Sequence, residues 1–318
     1  MIRLIIISVV FAINLEIFAQ TPVKHFLQDS LKSYTAVAPP ANAKGMIVFL
    51  PGFNQPIEDL LKETAFQNLA YIHGLATIFI PIGPKLFADR SVVKLLNEAI
   101  NTAMAKYNIP KDKVIIGGFS AGGTIALRYS QFCIKYPDSY PMVPKAVFAV
   151  DSPVDLATLY EYCQREISTN YSQIGVTEAR YAISIMERDF GGSPSGYPER
   201  YGELSPFNTE MEIGGNIAIL KHLPVRSYHD VDVNWQIKNR RRSLMDMNVT
   251  PASEMINQLV MMGNEEAELI ISIGTGVRSN GQKHPHSMSI IDDQELVIWA
   301  LKKLKIPVNT NSNKSKTK

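Results

Sequence analysis

From residue 44 onward the chain alternates two kinds of segment. Short, mostly apolar runs occupy 46–50, 75–80, 114–116, 146–150, 225–228 and 269–271; the first three and the fifth are bounded by glycine or proline, the fourth leads to Asp151, and the last sits before Gly274. Runs this short, apolar on both parities, predict strands covered on both faces of a mainly parallel sheet. Between them the spacing turns helical. Val93, Leu96, Ile100 and Met104 form one face over 92–107, and Leu296, Trp299, Ala300 and Leu304 form another over 292–304. Strand–helix alternation of this kind predicts an α/β domain, a mainly parallel twisted sheet with helices on both faces.

One interval, 152–222, is too long to be a simple connection and predicts a folded helical insertion, a cap. It contains a helical pattern over 177–188, a turn-rich break over 191–196, and Tyr160, Tyr162, Tyr171, Tyr181, Tyr197 and Tyr201. Most of these tyrosines are expected to pack the insertion itself and a few to face a substrate pocket. At the start, Arg3, an apolar run over 4–13 and small Ala19 have the layout of a secretory signal, 1–19, cleaved after Ala19. The run falls short of the roughly 20 residues a membrane span needs. The expected organisation is therefore a leader, one domain over 20–305, and a polar, basic, disordered tail over 306–318. The address is secreted or periplasmic.

Composition narrows the function classes. Hydrophobic residues make up 46% and charged residues 19% of the 318, enough apolar material for a large core. A net charge of +2 does not point to nucleic acid or a membrane surface. Cys133 and Cys163 are too few for a disulfide scaffold or a structural zinc site, and read as buried thiols or a single bridge. No phosphate-binding loop, dinucleotide fingerprint or metal-spaced cluster occurs, so no cofactor or metal is expected. The basic run 238–242 reads as a solvated helix face, with anionic substrate as the alternative.

The chemistry is carried by Gly118-Phe119-Ser120-Ala121-Gly122. The bare pattern is weak, but here it follows a strand and opens a helix. A chain that doubles back sharply at a serine needs small neighbours, and the turn presents the hydroxyl above the sheet's carboxyl edge. A serine hydroxyl needs a base, and the base needs an orienting acid. Candidates follow in the chain: Asp230 and Asp232 after the strand at 225–228, and His284 and His286 before the last helix. Asp151, at the end of an earlier strand, is a third acid candidate. His229, ending a strand, reads as structural.

These motifs resemble the α/β-hydrolase family over about residues 44–305, and Ser205-Pro206 is similar to its esterase and oligopeptidase-like branches. The resemblance implies a Ser–His–acid triad and an oxyanion hole of two backbone amides. Asp232 matches the family's acid offset better than Asp230, and His286 the family's histidine setting better than His284. Ala121 matches one hole donor and Phe53 the other, although the family's common His-Gly is Pro51-Gly52 here. The expected function is hydrolysis of a small carboxylic ester through an acyl-enzyme on Ser120. Cleavage of short peptides is the alternative within the same chemistry, and a catalytically silent binding protein the alternative outside it.

Overall fold

The computed structural model describes residues 20–39 and 42–308; the expected leader and residues 309–318 of the expected tail lie outside the described residues. The strands are β1 Val23–Phe26, β2 Ser33–Val37, β3 Gly45–Leu50, β4 Leu75–Phe79, β5 Val114–Phe119, β6 Val147–Val150, β7 Val225–Asp230 and β8 Ala267–Ser272. The longer helical elements are α1 Ile57–Leu60, α2 Phe66–Ile72, α3 Arg90–Tyr107, α4 Ala121–Lys135, α5 Leu156–Thr169, α6 Gln173–Phe190, α7 Pro198–Leu204, α8 Val233–Arg240, α9 Val249–Met261 and α10 Asp293–Lys303. All eight strands form one sheet in the order β1-β2-β4-β3-β5-β6-β7-β8. From β4 to β8 the neighbours run parallel, while β1 and β2 add an antiparallel edge. The six strands expected from apolar runs are β3 to β8. The edge pair was not foreseen, because its residues, Val-Lys-His-Phe and Ser-Tyr-Thr-Ala-Val, are mixed and partly solvated.

The strands are apolar on both parities because each face has its own helical layer. In β3, Met46, Val48 and Leu50 join a core under α3, α4 and α9, whereas Ile47 and Phe49 join a core under α1, α2 and α10. On the second face Phe49 stands 5.5 Å from Phe66 and 5.9 Å from Phe148, centroid to centroid. Burying each such ring contributes about 2–3 kcal/mol. Ile306 is buried in the same layer, so the packed domain runs one residue past the expected boundary at 305.

Between β6 and β7 the 152–222 interval folds into α5, α6 and α7, with α5 and α6 packed together. The Asp155 side chain starts α5 by accepting from the Ala157 and Thr158 amides, and also accepts from the Thr209 amide and hydroxyl. One carboxylate thus ties the start of the insertion to the segment that follows α7. Tyr160 and Tyr201 are buried within it, their hydroxyls bonded to Glu187 and to the Gly192 carbonyl.

Candidate active site

Ser120 follows β5 and precedes α4 with φ 53° and ψ −127°. A left-handed φ at a non-glycine residue costs of order 1–3 kcal/mol and persists only where the surroundings impose it. Here the surroundings are two glycines. A Cβ on Gly118 would stand 2.3 Å from the Gly122 carbonyl carbon, and one on Gly122 would stand 2.1 Å from the Leu50 carbonyl oxygen. The turn can close only without those side chains. Its result is a partly exposed hydroxyl at the amino end of a helix, where peptide dipoles favour negative charge.

Nε2 of His286 lies 2.9 Å from the Ser120 Oγ. Nδ1 of His286 lies 2.5 Å from Oδ2 of Asp151, and Oδ1 of Asp151 lies 2.9 Å from Nδ1 of His229. Asp232, the carboxylate expected to meet this histidine, is elsewhere: it starts α8 by accepting from the Trp235 amide. Asp230 accepts from the Gly274 and Gly276 amides and so ties the end of β7 to the loop after β8. The carboxylate that meets His286 in the structure is therefore Asp151 and not the expected Asp232.

Register supplies the reason. β6 is the immediate neighbour of β5, with Phe119 opposite Val150, and β7 is the next strand, with Val150 opposite Tyr228. The residues that follow, Ser120, Asp151 and His229, consequently stand level along the carboxyl edge. The Ser120 amide donates to the Val150 carbonyl and the Asp151 amide to the Tyr228 carbonyl. Asp232 lies three residues beyond His229, past that row.

Asp151 sits with φ 42°. Burial would raise its pKa, but the charge of His286 and hydrogen bonds from both histidines hold the carboxyl well below the usual range. The His286 loop has its own anchor, which the sequence did not signal. Glu63, wholly buried at its side chain, accepts from the Ser279 and Met288 amides and the Ser287 hydroxyl, and pairs with Arg278. Arg278 in turn donates to the His286 carbonyl. The Phe119 ring packs 4.7 Å from the imidazole.

His284 does not reach Ser120. Its Nδ1 accepts from the His286 amide, and its ring lies 4.4 Å from that of Trp235. Burial first, then the nearby charges of His286, Arg240 and Arg278, lower its pKa from 6.5 to about 3. The folded chain therefore holds His284 neutral where the unfolded chain protonates it, so this contribution is complete above pH 6.5 and is lost as pH falls toward 3. Replacing His284 by Asn, which keeps an acceptor for the His286 amide, is expected to flatten the fall of Tm over that window. The acid sensitivity at stake is about 2–4 kcal/mol at the low end; an unchanged Tm–pH curve would assign it to other groups.

Two backbone amides near Ser120 belong to residues that border its cavities. The Ala121 amide opens α4 and has no carbonyl one turn earlier to bond. In the loop after β3, the Gly52 amide donates to the Gln55 side chain and the Asn54 amide to the Gly83 carbonyl. Among the described residues the Phe53 amide between them is uncommitted.

Ser120 and His286 stand where two cavities meet. One, of about 240 Å³, runs under α5 and α6 past Leu159, Tyr162 and Ala179 to Arg240 and Arg242. The other, of about 310 Å³, is walled by Phe53, Phe119 and Tyr181. Phe53 and Tyr181 meet edge to face at 5.8 Å, which joins the β3 loop to α6. Of the tyrosines, then, Tyr162 and Tyr181 reach the cavities. The basic run is less solvated than its composition suggests: the buried Glu166 pairs with Arg242 at 2.7 Å and with Arg240 at 3.8 Å. Cys133 and Cys163 are free and buried, and burial pushes their thiols up to about 12 and about 11. Among the described residues no cluster of metal-ligating side chains occurs and no helix is long and apolar enough to cross a membrane.

No family model matches the chain, and no curated protein matches it in sequence. Solved structures do. A hormone-sensitive lipase from a metagenome library superposes with a TM-score of 0.55 at 13% identity, covering 89% of this chain and 86% of that one. Carboxyl esterase 2 from the mycorrhizal fungus Tuber melanosporum gives 0.55 at 16% identity over 95% and 90%. An S-formylglutathione hydrolase from Agrobacterium tumefaciens gives 0.51 at 10% identity over 89% and 94%. At such identities the likeness is one of fold.

Proposed function

We propose that this chain, whose fold is that of the α/β-hydrolases, is a serine hydrolase that moves the acyl group of a carboxylic ester to Ser120 and then to water. The observation that carries the reading is the run of hydrogen bonds from the strained Ser120 through His286 to the half-buried Asp151. In the first half-reaction the Ser120 oxygen attacks the ester carbonyl while Nε2 of His286 takes its proton. The tetrahedral oxyanion is received by the Ala121 and Phe53 amides, each contributing about 3–4 kcal/mol at such sites. His286 then returns the proton to the departing alkoxide, leaving an acyl-enzyme and an alcohol. Water repeats the sequence, with His286 as base, and releases the acid. Asp151 keeps Nδ1 of His286 protonated, so that Nε2 is free to accept, and offsets the imidazolium charge.

Two cavities meeting at the reacting pair suit an ester, whose acyl and alkoxy parts diverge from one carbon. The 152–222 segment serves as the cap that supplies their apolar walls and sets chain-length preference. The layout of Arg3, the apolar run and Ala19 supports export.

A fluorophosphonate probe followed by peptide mapping tests the reaction class: the adduct is expected on Ser120. A panel of p-nitrophenyl esters of increasing acyl length, run beside aminoacyl and dipeptidyl amides, tests the bond cleaved. Faster turnover of the amides would move the assignment to a peptidase. No adduct and no turnover would leave a binding protein on this fold.

A further inference from the structure

The carboxylate of Asp151 is shared between two imidazoles, and acyl transfer as outlined uses only one of them. Nδ1 of His229 lies 2.9 Å from Oδ1 of Asp151, and Nε2 of His229 lies 2.8 Å from the Ser227 Oγ. Both residues are buried on β7, His229 at 1% exposure and Ser227 at 0%. Their protonation follows from their partners. An ionised carboxylate only accepts, so Nδ1 of each histidine carries its hydrogen. Neutral His229 is then bare at Nε2, and the Ser227 hydroxyl donates to it.

We propose that His229 is a positioning residue of the reaction: its Nδ1–H holds Oδ1 of Asp151 so that Oδ2 stays aimed at His286, and the Ser227 hydroxyl satisfies Nε2 in the tautomer that does this. The inference rests on reading Ser120, His286 and Asp151 as the reacting set. The backbone of Asp151 is held from two sides, its amide by the Tyr228 carbonyl and its carbonyl by the Asn248 side chain. Among the described residues, however, its carboxylate meets donors only on the two histidines. A carboxylate gripped at one oxygen can rotate about its Cβ–Cγ bond, whereas one gripped at both cannot. Burial also disfavours the charge that Asp151 must keep while His286 becomes cationic, and the His229 bond works against that penalty. Both effects bear on the charged transition state and not on the binding of an ester in the cavities. Loss of the donor should therefore lower kcat and leave KM alone.

Asparagine and leucine separate donation from bulk. Asparagine places its Nδ2 close to where Nδ1 of histidine stands; leucine fills a similar space without a donor. With the preferred p-nitrophenyl ester, His229→Leu is expected to lose roughly 10- to 100-fold in kcat, the worth of one hydrogen bond to a buried charge, with KM within about twofold. His229→Asn is expected to keep most of the wild-type kcat. Ser227→Ala removes a single oxygen and should lower kcat by a smaller factor, which carries the test if His229→Leu does not fold. A second readout needs no turnover: the Nδ1 proton of His286, far downfield in the proton NMR spectrum, should shift in His229→Leu and hold in His229→Asn. A folded His229→Leu with wild-type kcat, equal losses in Leu and Asn, or an unmoved His286 proton resonance would each overturn the proposal. A wild-type protein that neither labels nor turns over any ester would instead overturn the reading of Ser120, with the proton shift still reporting on His229.

Discussion

Asp151→Asn is expected to lower kcat by about 10⁴-fold while the chain stays folded, as loss of the orienting acid does in serine hydrolases generally. Two Nδ1–H groups converge on Asp151, one per oxygen. An amide offers one acceptor oxygen and one NH₂, so one histidine must turn its bare nitrogen to the amide. If that is His286, its hydrogen moves to Nε2, opposite the Ser120 Oγ, where it can no longer take the serine proton. Asp232→Asn is the control. Asparagine starts a helix as well as aspartate does, so kcat should not change, and Asp232→Ala should cost only about 1 kcal/mol of stability through the lost bond to the Trp235 amide. Steady-state kinetics on one ester and thermal melts of the three variants check this. A kcat loss larger in Asp232→Asn than in Asp151→Asn would return the acid to Asp232.

Ser120→Ala is expected to remove fluorophosphonate labelling and to lower kcat by roughly 10⁵- to 10⁶-fold. The fold should tolerate it, because alanine keeps the Cβ that already stands at φ 53° and only the bond to His286, worth about 1 kcal/mol, is lost. Ser120→Gly should be equally inactive but melt higher. Measured against Ser120→Ala, which loses the same bond to His286, glycine relieves left-handed strain of about 1–3 kcal/mol at a cost of about 0.5–1 kcal/mol in unfolded-chain freedom. Labelling that persists in Ser120→Ala would place the nucleophile elsewhere.

The site was legible in the sequence to different depths. Ser120 was legible because the elbow is local: five residues contain both the serine and the glycines whose absent side chains let the chain fold back. His286 was chosen over His284 only through family resemblance, since two residues on one loop share the same surroundings in sequence. The structure parts them by giving one to Ser120 and making the other an acceptor for the loop's own backbone. Glu63 was illegible: it holds the His286 loop from more than 200 residues away, and nothing near it in the chain marks an anchor. The edge strands β1 and β2 escaped for a simpler reason. A half-solvated edge carries no continuous apolar run to read.

What the sequence determined by itself was the two-faced parallel sheet and the sharp turn that carries Ser120. Both follow from interactions within a few residues: the parity of apolar positions dictates which faces must be covered, and backbone sterics dictate where a chain can turn sharply at a serine. What only the tertiary structure decided was which carboxylate meets His286, and that His229 meets the same one. Asp151, Asp230 and Asp232 all follow strand ends, and the strand ends themselves do not rank them. The choice is made by β6 lying between β5 and β7, with Phe119 opposite Val150 and Val150 opposite Tyr228. Strand order and register are set by the packing of whole layers, so residues 135 apart in the chain meet at 2.5 Å while Asp232 turns away to begin a helix.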